Sequence, residues 1–205
     1  MKQCLLIFFC FVSFNLIAEK SFTIEIELQD GIKLSTDVYL PDSLAEYPTI
    51  LIRTPYQKEG AILFANYFQQ CGFAVAVQDV RGKYSSDGEF TPFLNEYSDG
   101  LETLNWLEKQ KWCNGSIGMW GSSYLGYSSL ILAQSNHKAL KSIFTLSAWI
   151  DGDLINSPGG ALHQMLVIPW LLSEGRNTKK SIKGMDLDQV FNHLPLKEVI
   201  PTYKT

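Results

Sequence analysis

Apolar and polar positions alternate in two short runs near the start of the chain. Phe22, Ile24, Ile26 and Leu28 are separated by Thr, Glu and Glu, the period of a half-buried strand. Ile32, Leu34 and Val38 repeat the alternation among polar residues until Pro41. Asp30-Gly31 lies between the runs and is a tight-turn signal, so the pattern predicts an antiparallel hairpin. The period then changes. Pro48 to Ile52 and Phe73 to Val77 are continuously apolar, as expected of strands covered on both faces. Between them, Ala61 to Cys71 predicts a helix with Phe64, Tyr67, Phe68 and Cys71 on one face and Gly72 as its stop. Tyr97, Leu101, Leu104 and Leu107 mark one face of a second helix, which ends before Asn114-Gly115. Gly115 to Trp120 reads as a strand, Tyr127 to Gln134 as a helix and Ile143 to Leu146 as another short strand. Strands alternating with helices predict an α/β fold with a mostly parallel sheet and an antiparallel edge.

The pattern weakens after Trp149. Asp151 to Gly160 is polar and rich in Gly and Pro, and Ala161 to Leu172 is an apolar helix-like run interrupted by Pro169. Residues 151–205 therefore read as the start of a helical cap insertion following residues 19–150. Residues 1–18 stand apart from both. Lys2, an apolar run from Cys4 to Phe14 and the small residue Ala18 form a signal-peptide pattern, too short for a confident membrane span. A buried first strand or an uncleaved anchor is the alternative. The expectation is a secreted or periplasmic protein without a stable membrane anchor, cleaved near Ala18.

Composition adds little to this. At 205 residues the chain is long enough for one sizeable core. A net charge of −4 and the lack of a Lys/Arg cluster exclude a basic stripe for nucleic acid. Cys71 and Cys113 remain after the leader; export would permit a disulfide between them, but their apolar surroundings suggest buried free thiols.

The candidate chemistry centres on Gly121-Ser122-Ser123-Tyr124-Leu125-Gly126. Read alone, the hexapeptide fits either an inert Gly/Ser-rich turn or a nucleophile elbow, in which a serine sits on a sharp strand-to-helix turn. Gly121 two residues earlier favours Ser123 over Ser122 as the nucleophile. The strand before and the helix after supply the elbow context.

Four stretches carry a resemblance to the X-Pro dipeptidyl-peptidase and cocaine-esterase-like (CocE/NonD) serine hydrolases. Arg53-Thr54-Pro55-Tyr56 resembles the family's R-x-P-Y. Gln78-Asp79-Val80-Arg81-Gly82 with Ser86-Asp87-Gly88-Glu89-Phe90 is similar to its D-x-R-G … S-x-G-x-F loop. Trp112-Cys113-Asn114-Gly115 is similar to its W-C-N-G, and the hexapeptide to its G-x-S-Y-x-G elbow, which carries glycine at Gly126 where general α/β-hydrolases carry it at the position of Leu125. The resemblance covers roughly residues 22–150 and implies an α/β-hydrolase fold, a small-molecule ester or amide or a peptide as substrate, and no cofactor or metal. It further implies that Ser123 forms an acyl-enzyme, that the Tyr56 phenol donates to the oxyanion, and that the Tyr124 backbone N–H does the same from the helix N-terminus.

Other candidates have plainer readings. Asp79 and Arg81 suggest a structural ion pair or hydrogen-bond hub. Trp112, Trp120 and Trp149 suggest core, and Asp151 and Asp153 a solvated loop, although an acid there could meet a substrate ammonium. Of the three histidines, His137 lies about 20 Å from Ser123 along a helix, out of reach. His163 and His193 follow no readable late strand and read as structural. The resemblance implies that the triad acid and histidine follow beyond Thr205, which would make the chain the N-terminal part of a longer hydrolase, with negligible turnover alone. The competing readings are a non-catalytic secreted binding module and an inactive, non-folding fragment.

Overall fold

The computed structural model describes residues 22–42, 45–151 and 157–177. The expected signal-peptide segment, Asp153, His193 and most of the expected cap insertion lie outside the described residues. The opening hairpin forms from β1 (Phe22–Glu27) and β2 (Lys33–Tyr39), antiparallel, with Phe22 opposite Val38. Gly31 takes φ +81° in the turn, which is why the Asp-Gly signal marks it. The remaining strands are β3 (Tyr47–Thr54), β4 (Ala74–Asp79), β5 (Cys113–Ser122) and β6 (Leu140–Leu146). They complete a six-stranded sheet in the order β1-β2-β4-β3-β5-β6. The β4–β3, β3–β5 and β5–β6 pairs are parallel, as the continuous apolar runs predict.

Successive side chains point to opposite faces of a strand, so the sheet divides two cores. Leu51, Ala76, Ile117 and Met119 meet Leu104 and Leu107 of α2 (Glu96–Leu107) and Leu132 of α3 (Tyr124–Ala133) on one face. Ile52, Val75 and Val77 meet Ala61, next to α1 (Ile62–Gln70), and Ala65 within it on the other. Trp112 packs against the first core and Trp120 against the second, in agreement with their reading as core residues.

Three expectations are corrected. The polar side of β2 is not solvated: Ser35, Thr36 and Asp37 are buried, because β2 pairs with β4 and their polar groups find partners across the sheet. Gln78 Nε2 donates to Thr36 Oγ1 at 3.1 Å, Thr23 Oγ1 to Asp37 at 2.7 Å, and the Ser35 N–H to Ser86 Oγ at 2.9 Å. Helix α1 seats small residues, Ala61 and Ala65, on the sheet; Phe64 and Tyr67 are exposed, with the Phe64 ring tilted 35° against Trp120 at 4.0 Å. Cys71 at its end is exposed while Cys113 is buried, and both thiols are free. On α2, Tyr97 is exposed and the buried face starts instead with Glu96, Asp99 and Thr103, which cover the polar ends of β3 and β4.

Candidate active site

β5 ends at Ser122, α3 begins at Tyr124, and Ser123 forms the whole junction with φ 55° and ψ −121°. That backbone conformation is strained for a residue with a side chain and persists only where its surroundings over-determine it. Here they do. The Ser123 N–H donates to Leu146 O at the end of β6 (3.0 Å), and its carbonyl accepts the Tyr127 N–H in the first turn of α3 (3.0 Å). A Cβ on Gly121 would overlap the backbone carbonyl of Leu125 and lie 2.6 Å from the Leu125 Cβ. A Cβ on Gly126 would lie 2.6 Å from that of Ala148. Both glycines are thus required by the crossing of strand and helix. Leu125 is tolerated after the serine because its side chain turns toward the α1 core.

The turn leaves the Ser123 side chain exposed, with no capping hydrogen bond, at the wall of a cavity of about 330 Å³. Tyr56 lines the same cavity, three residues past Arg53 on the loop leaving β3. Its N–H is fixed by Thr54 Oγ1 (3.0 Å), and its phenol oxygen accepts the Trp170 Nε1–H at 2.9 Å. Burial pushes the Tyr56 phenol above the ordinary tyrosine range; the Trp170 donation opposes this and the Glu174 charge adds to it. Tyr124 is the first residue of α3, so its N–H has no carbonyl one turn earlier in the helix to bond. The three site residues expected from the sequence, Ser123, Tyr56 and Tyr124, all line this cavity.

The Tyr124 side chain does different work from its backbone. Its hydroxyl donates to Glu96 Oε1 (2.9 Å) and accepts the Phe93 N–H (3.1 Å). Glu96 Oε2 in turn accepts from Arg53 Nη1 at 2.6 Å, with both side chains buried. Arg53 Nε donates to Gln78 Oε1 at 2.9 Å. Burial raises the Glu96 carboxyl pKa, opposed by the Arg53 guanidinium, and burial followed by the Glu96 charge raises the Tyr124 phenol. One buried chain of contacts therefore ties β3, α2 and the elbow together.

Apart from Ser147, the remaining walls are apolar: Phe93, Trp149, Leu166, Val167, Trp170 and Leu171. Trp149 is thus cavity wall, not core, because the chain leaving β6 turns back over the elbow. Phe93 holds φ 69°, and its ring stacks on those of Tyr124 (4.9 Å) and Trp170 (5.8 Å). Trp170 belongs to α4 (Gln164–Ser173), the helix formed by the Pro169-containing run. Phe93, Glu96 and Trp170 escape sequence reading. Only Arg53 gives a signal, as the first residue of the R-x-P-Y stretch.

The charged candidates lie elsewhere. Asp79 and Arg81 do not pair with each other: Asp79 accepts the Lys58 N–H (2.8 Å), whereas Arg81 forms a two-pronged bridge to Asp99 (2.9 and 2.8 Å) and reaches Asp30. They are hubs of two separate networks. His137 precedes β6, at the end of the strand opposite the elbow; its Nδ1 accepts the Ala139 N–H and its Nε2 lies 3.2 Å from Asn105 Oδ1. His163 is exposed, and its carbonyl accepts the Leu166 and Val167 N–H groups as α4 starts. Neither of these histidines, and neither Asp79 nor Asp151, lines the cavity. Among the described residues no group of three or more His, Cys, Asp or Glu could hold a metal ion, and no helix is long and apolar enough to cross a membrane.

Known proteins resemble this chain in sequence and fold. The chain is 35% identical over 168 residues to the cocaine esterase of Rhodococcus sp. (strain MB1 Bresler), a match covering 76% of this chain and 29% of that protein. A solved α-amino acid ester hydrolase superposes with a TM-score of 0.59 at 32% identity, covering 65% of this chain and 26% of that one. An aminopeptidase from the marine sediment archaeon Thaumarchaeota archaeon superposes at 0.65 with 25% identity, covering 80% and 32%. The chain thus spans less than a third of the length of each relative. Residues 30–202 match the sequence family described as X-Pro dipeptidyl-peptidase (S15 family), from the opening hairpin through the elbow and beyond α4. With the strained elbow serine, the G-x-S-Y-x-G stretch and hydrolases as its relatives, the chain belongs to the X-Pro dipeptidyl-peptidase (S15) family, on the α/β-hydrolase fold.

Proposed function

We propose that Ser123 attacks the carbonyl of an ester or amide and carries the acyl group, while the Tyr56 phenol and the Tyr124 N–H stabilise the oxyanion. One observation carries this reading: Ser123 is held at φ 55°, ψ −121° on a strand–helix junction and opens into the cavity that Tyr56 lines. Donors preorganised around developing charge supply a large share of acyl-transfer catalysis. Among the described residues no charged side chain lines the cavity, which favours an uncharged acyl group over a dipeptide whose ammonium would need a carboxylate.

Attack requires the Ser123 proton to leave. The proposed base and its orienting acid come from outside the described residues. An oxyanion hole and binding alone retain about 10³–10⁴-fold acceleration over water. The test is stoichiometric acylation by p-nitrophenyl acetate, or labelling by a fluorophosphonate, located by mass spectrometry with and without added imidazole. Label on Ser123, faster with imidazole and lost in Ser123→Ala, is expected. A folded protein that acquires no label there would leave a non-catalytic binding module as the better account. We also propose export, on the Lys2-led apolar run; N-terminal sequencing of protein from its native host would give a start near Glu19.

A further inference from the structure

Helix α4 reaches the oxyanion side of the cavity through one atom. Trp170 Nε1–H donates to the Tyr56 hydroxyl at 2.9 Å, across 114 residues of sequence. A phenol has one hydrogen to give and lone pairs to receive. With a lone pair engaged by the indole, the phenol hydrogen stays available for another acceptor, and a hydroxyl that accepts a hydrogen bond is a stronger donor. The indole is not free to wander. It lies nearly parallel to the rings of Tyr124 (5.7 Å, 20°) and Phe93 (5.8 Å, 19°).

The segment following α4 is fastened to the loop after β4. The buried Lys83 Nζ donates to the Glu174 carbonyl (3.0 Å), to Glu174 Oε2 (3.0 Å) and to the Arg176 carbonyl (3.2 Å). Asn177 accepts the Phe90 N–H and donates to Gly88 O, both at 2.9 Å. This latch sets where α4 lies, and α4 sets where the indole N–H points.

We propose that Trp170 is a positioning residue for the oxyanion hole: its N–H orients the Tyr56 hydroxyl toward the Ser123 side of the cavity and strengthens it as a donor, and the Lys83/Asn177 latch holds it there. The proposal rests on the acyl-transfer reading of Ser123 and Tyr56. It makes the docked state of α4 a condition of efficient acylation, although α4 brings no group to the reacting carbonyl.

Trp170→Phe keeps an aromatic ring in the stack and removes the N–H donor together with the second ring of the indole, and a Tyr56→Phe background separates the two effects. In the full chain carrying ¹³C-labelled tyrosine, the Tyr56 phenol should titrate higher by about 0.5–1 pH unit, the size expected of one neutral hydrogen bond. Its rate of Ser123 acylation by p-nitrophenyl acetate should fall about 3–10-fold. In a Tyr56→Phe background, itself expected to be ~10²–10³-fold slower, Trp170→Phe should change the rate no further. Lys83→Met, which releases the latch and leaves both rings in place, should shift the Tyr56 titration in the same direction. An unshifted titration in Trp170→Phe would overturn the proposal. So would an equal rate loss in the Tyr56→Phe background, because the indole would then act by packing. A wild-type protein that acylates nowhere overturns the Ser123 reading and this role together. Normal acylation in Trp170→Phe overturns the role alone.

Discussion

Replacing Glu96 with alanine should be among the most damaging single changes to this fold. Arg53 is fully buried and Glu96 nearly so. The guanidinium has three bonds in this environment: to the Glu96 carboxylate, to the Glu96 carbonyl and to Gln78. Its Nη2 has no partner among the described residues. Glu96→Ala deletes the negative charge and leaves the positive one, which costs about 3–5 kcal/mol where one member of a buried pair is removed. It also takes the acceptor from the Tyr124 hydroxyl, roughly another 1 kcal/mol. Against a total stability of about 5–15 kcal/mol, such a loss brings the domain near its unfolding threshold. Replacing the pair together, Arg53→Met with Glu96→Leu, removes the orphaned charge and should cost clearly less than Glu96→Ala, because a buried pair contributes little net stability over an apolar substitute. The measurement is urea unfolding followed by tryptophan fluorescence, with a check that the slope against denaturant is unchanged. A loss under about 1 kcal/mol for Glu96→Ala would refute the argument, as would a double replacement whose cost equals the sum of the single ones.

Two further outcomes follow from the same geometry. Gly121→Ala places a Cβ on the Leu125 backbone, which no rotamer can relieve, and should cost about 3 kcal/mol or more; Gly60→Ala, with nothing within 4 Å of the new methyl, should stay within about 0.5 kcal/mol in the same unfolding assay. Asp79, at the buried end of β4, has its carboxyl pushed up to about 6 by burial, against the opposing N–H groups of Ser85 and Lys58. Because that value exceeds the unfolded value of about 3.9, the folded state holds the proton more tightly. The cost of ionising Asp79 is absent at low pH, grows as the pH rises from about 4 through 6 and is fully present above 6. Wild type should therefore lose stability between pH 4 and 7 relative to Asp79→Asn, and an identical pH slope in the two proteins would remove Asp79 as the cause.

The parts of this fold that are legible in the sequence are those where one face of an element decides its pattern. β3 and β4 read correctly because a strand covered on both sides needs only an apolar run. The face of α1 and the first turn of α2 read wrongly because burial there is decided by what lies opposite, whereas Leu104 and Leu107 of α2 are buried as their spacing predicts. Ala65 is buried because α1 needs small residues to approach β4, and the larger Phe64 and Tyr67 are left at the flank. Asp99 is buried because Arg81 comes up from the loop after β4 to meet it. Such pairings join residues far apart in the chain, and no local periodicity contains them. The candidate site divides in the same way. Ser123 and the glycines around it are legible because a strand–turn–helix crossing imposes its own spacing. Glu96, Phe93 and Trp170 act through distant partners, and their neighbours in sequence carry no trace of those contacts.

The strain at Ser123 is held from two sides, and the sides differ in security. On one, Gly121 and Gly126 let α3 sit close against β5, inside the core built from β3, α2 and α3. On the other, the Ser123 N–H depends on a single carbonyl, Leu146 O, the last residue of β6. Among the described residues β6 is an edge strand of the sheet, paired only with β5, and its Phe144 and Leu146 side chains are exposed. An edge strand opens more readily than a central one, because fewer hydrogen bonds and less buried surface hold it. If β6 frays, Ser123 loses the partner that opposes its relaxation to an ordinary helical or extended conformation. The register of Ser122 with Leu146 is therefore as much a part of the elbow as the serine itself. Any contact that keeps β6 paired with β5 stabilises the elbow geometry directly, by keeping that one carbonyl in place.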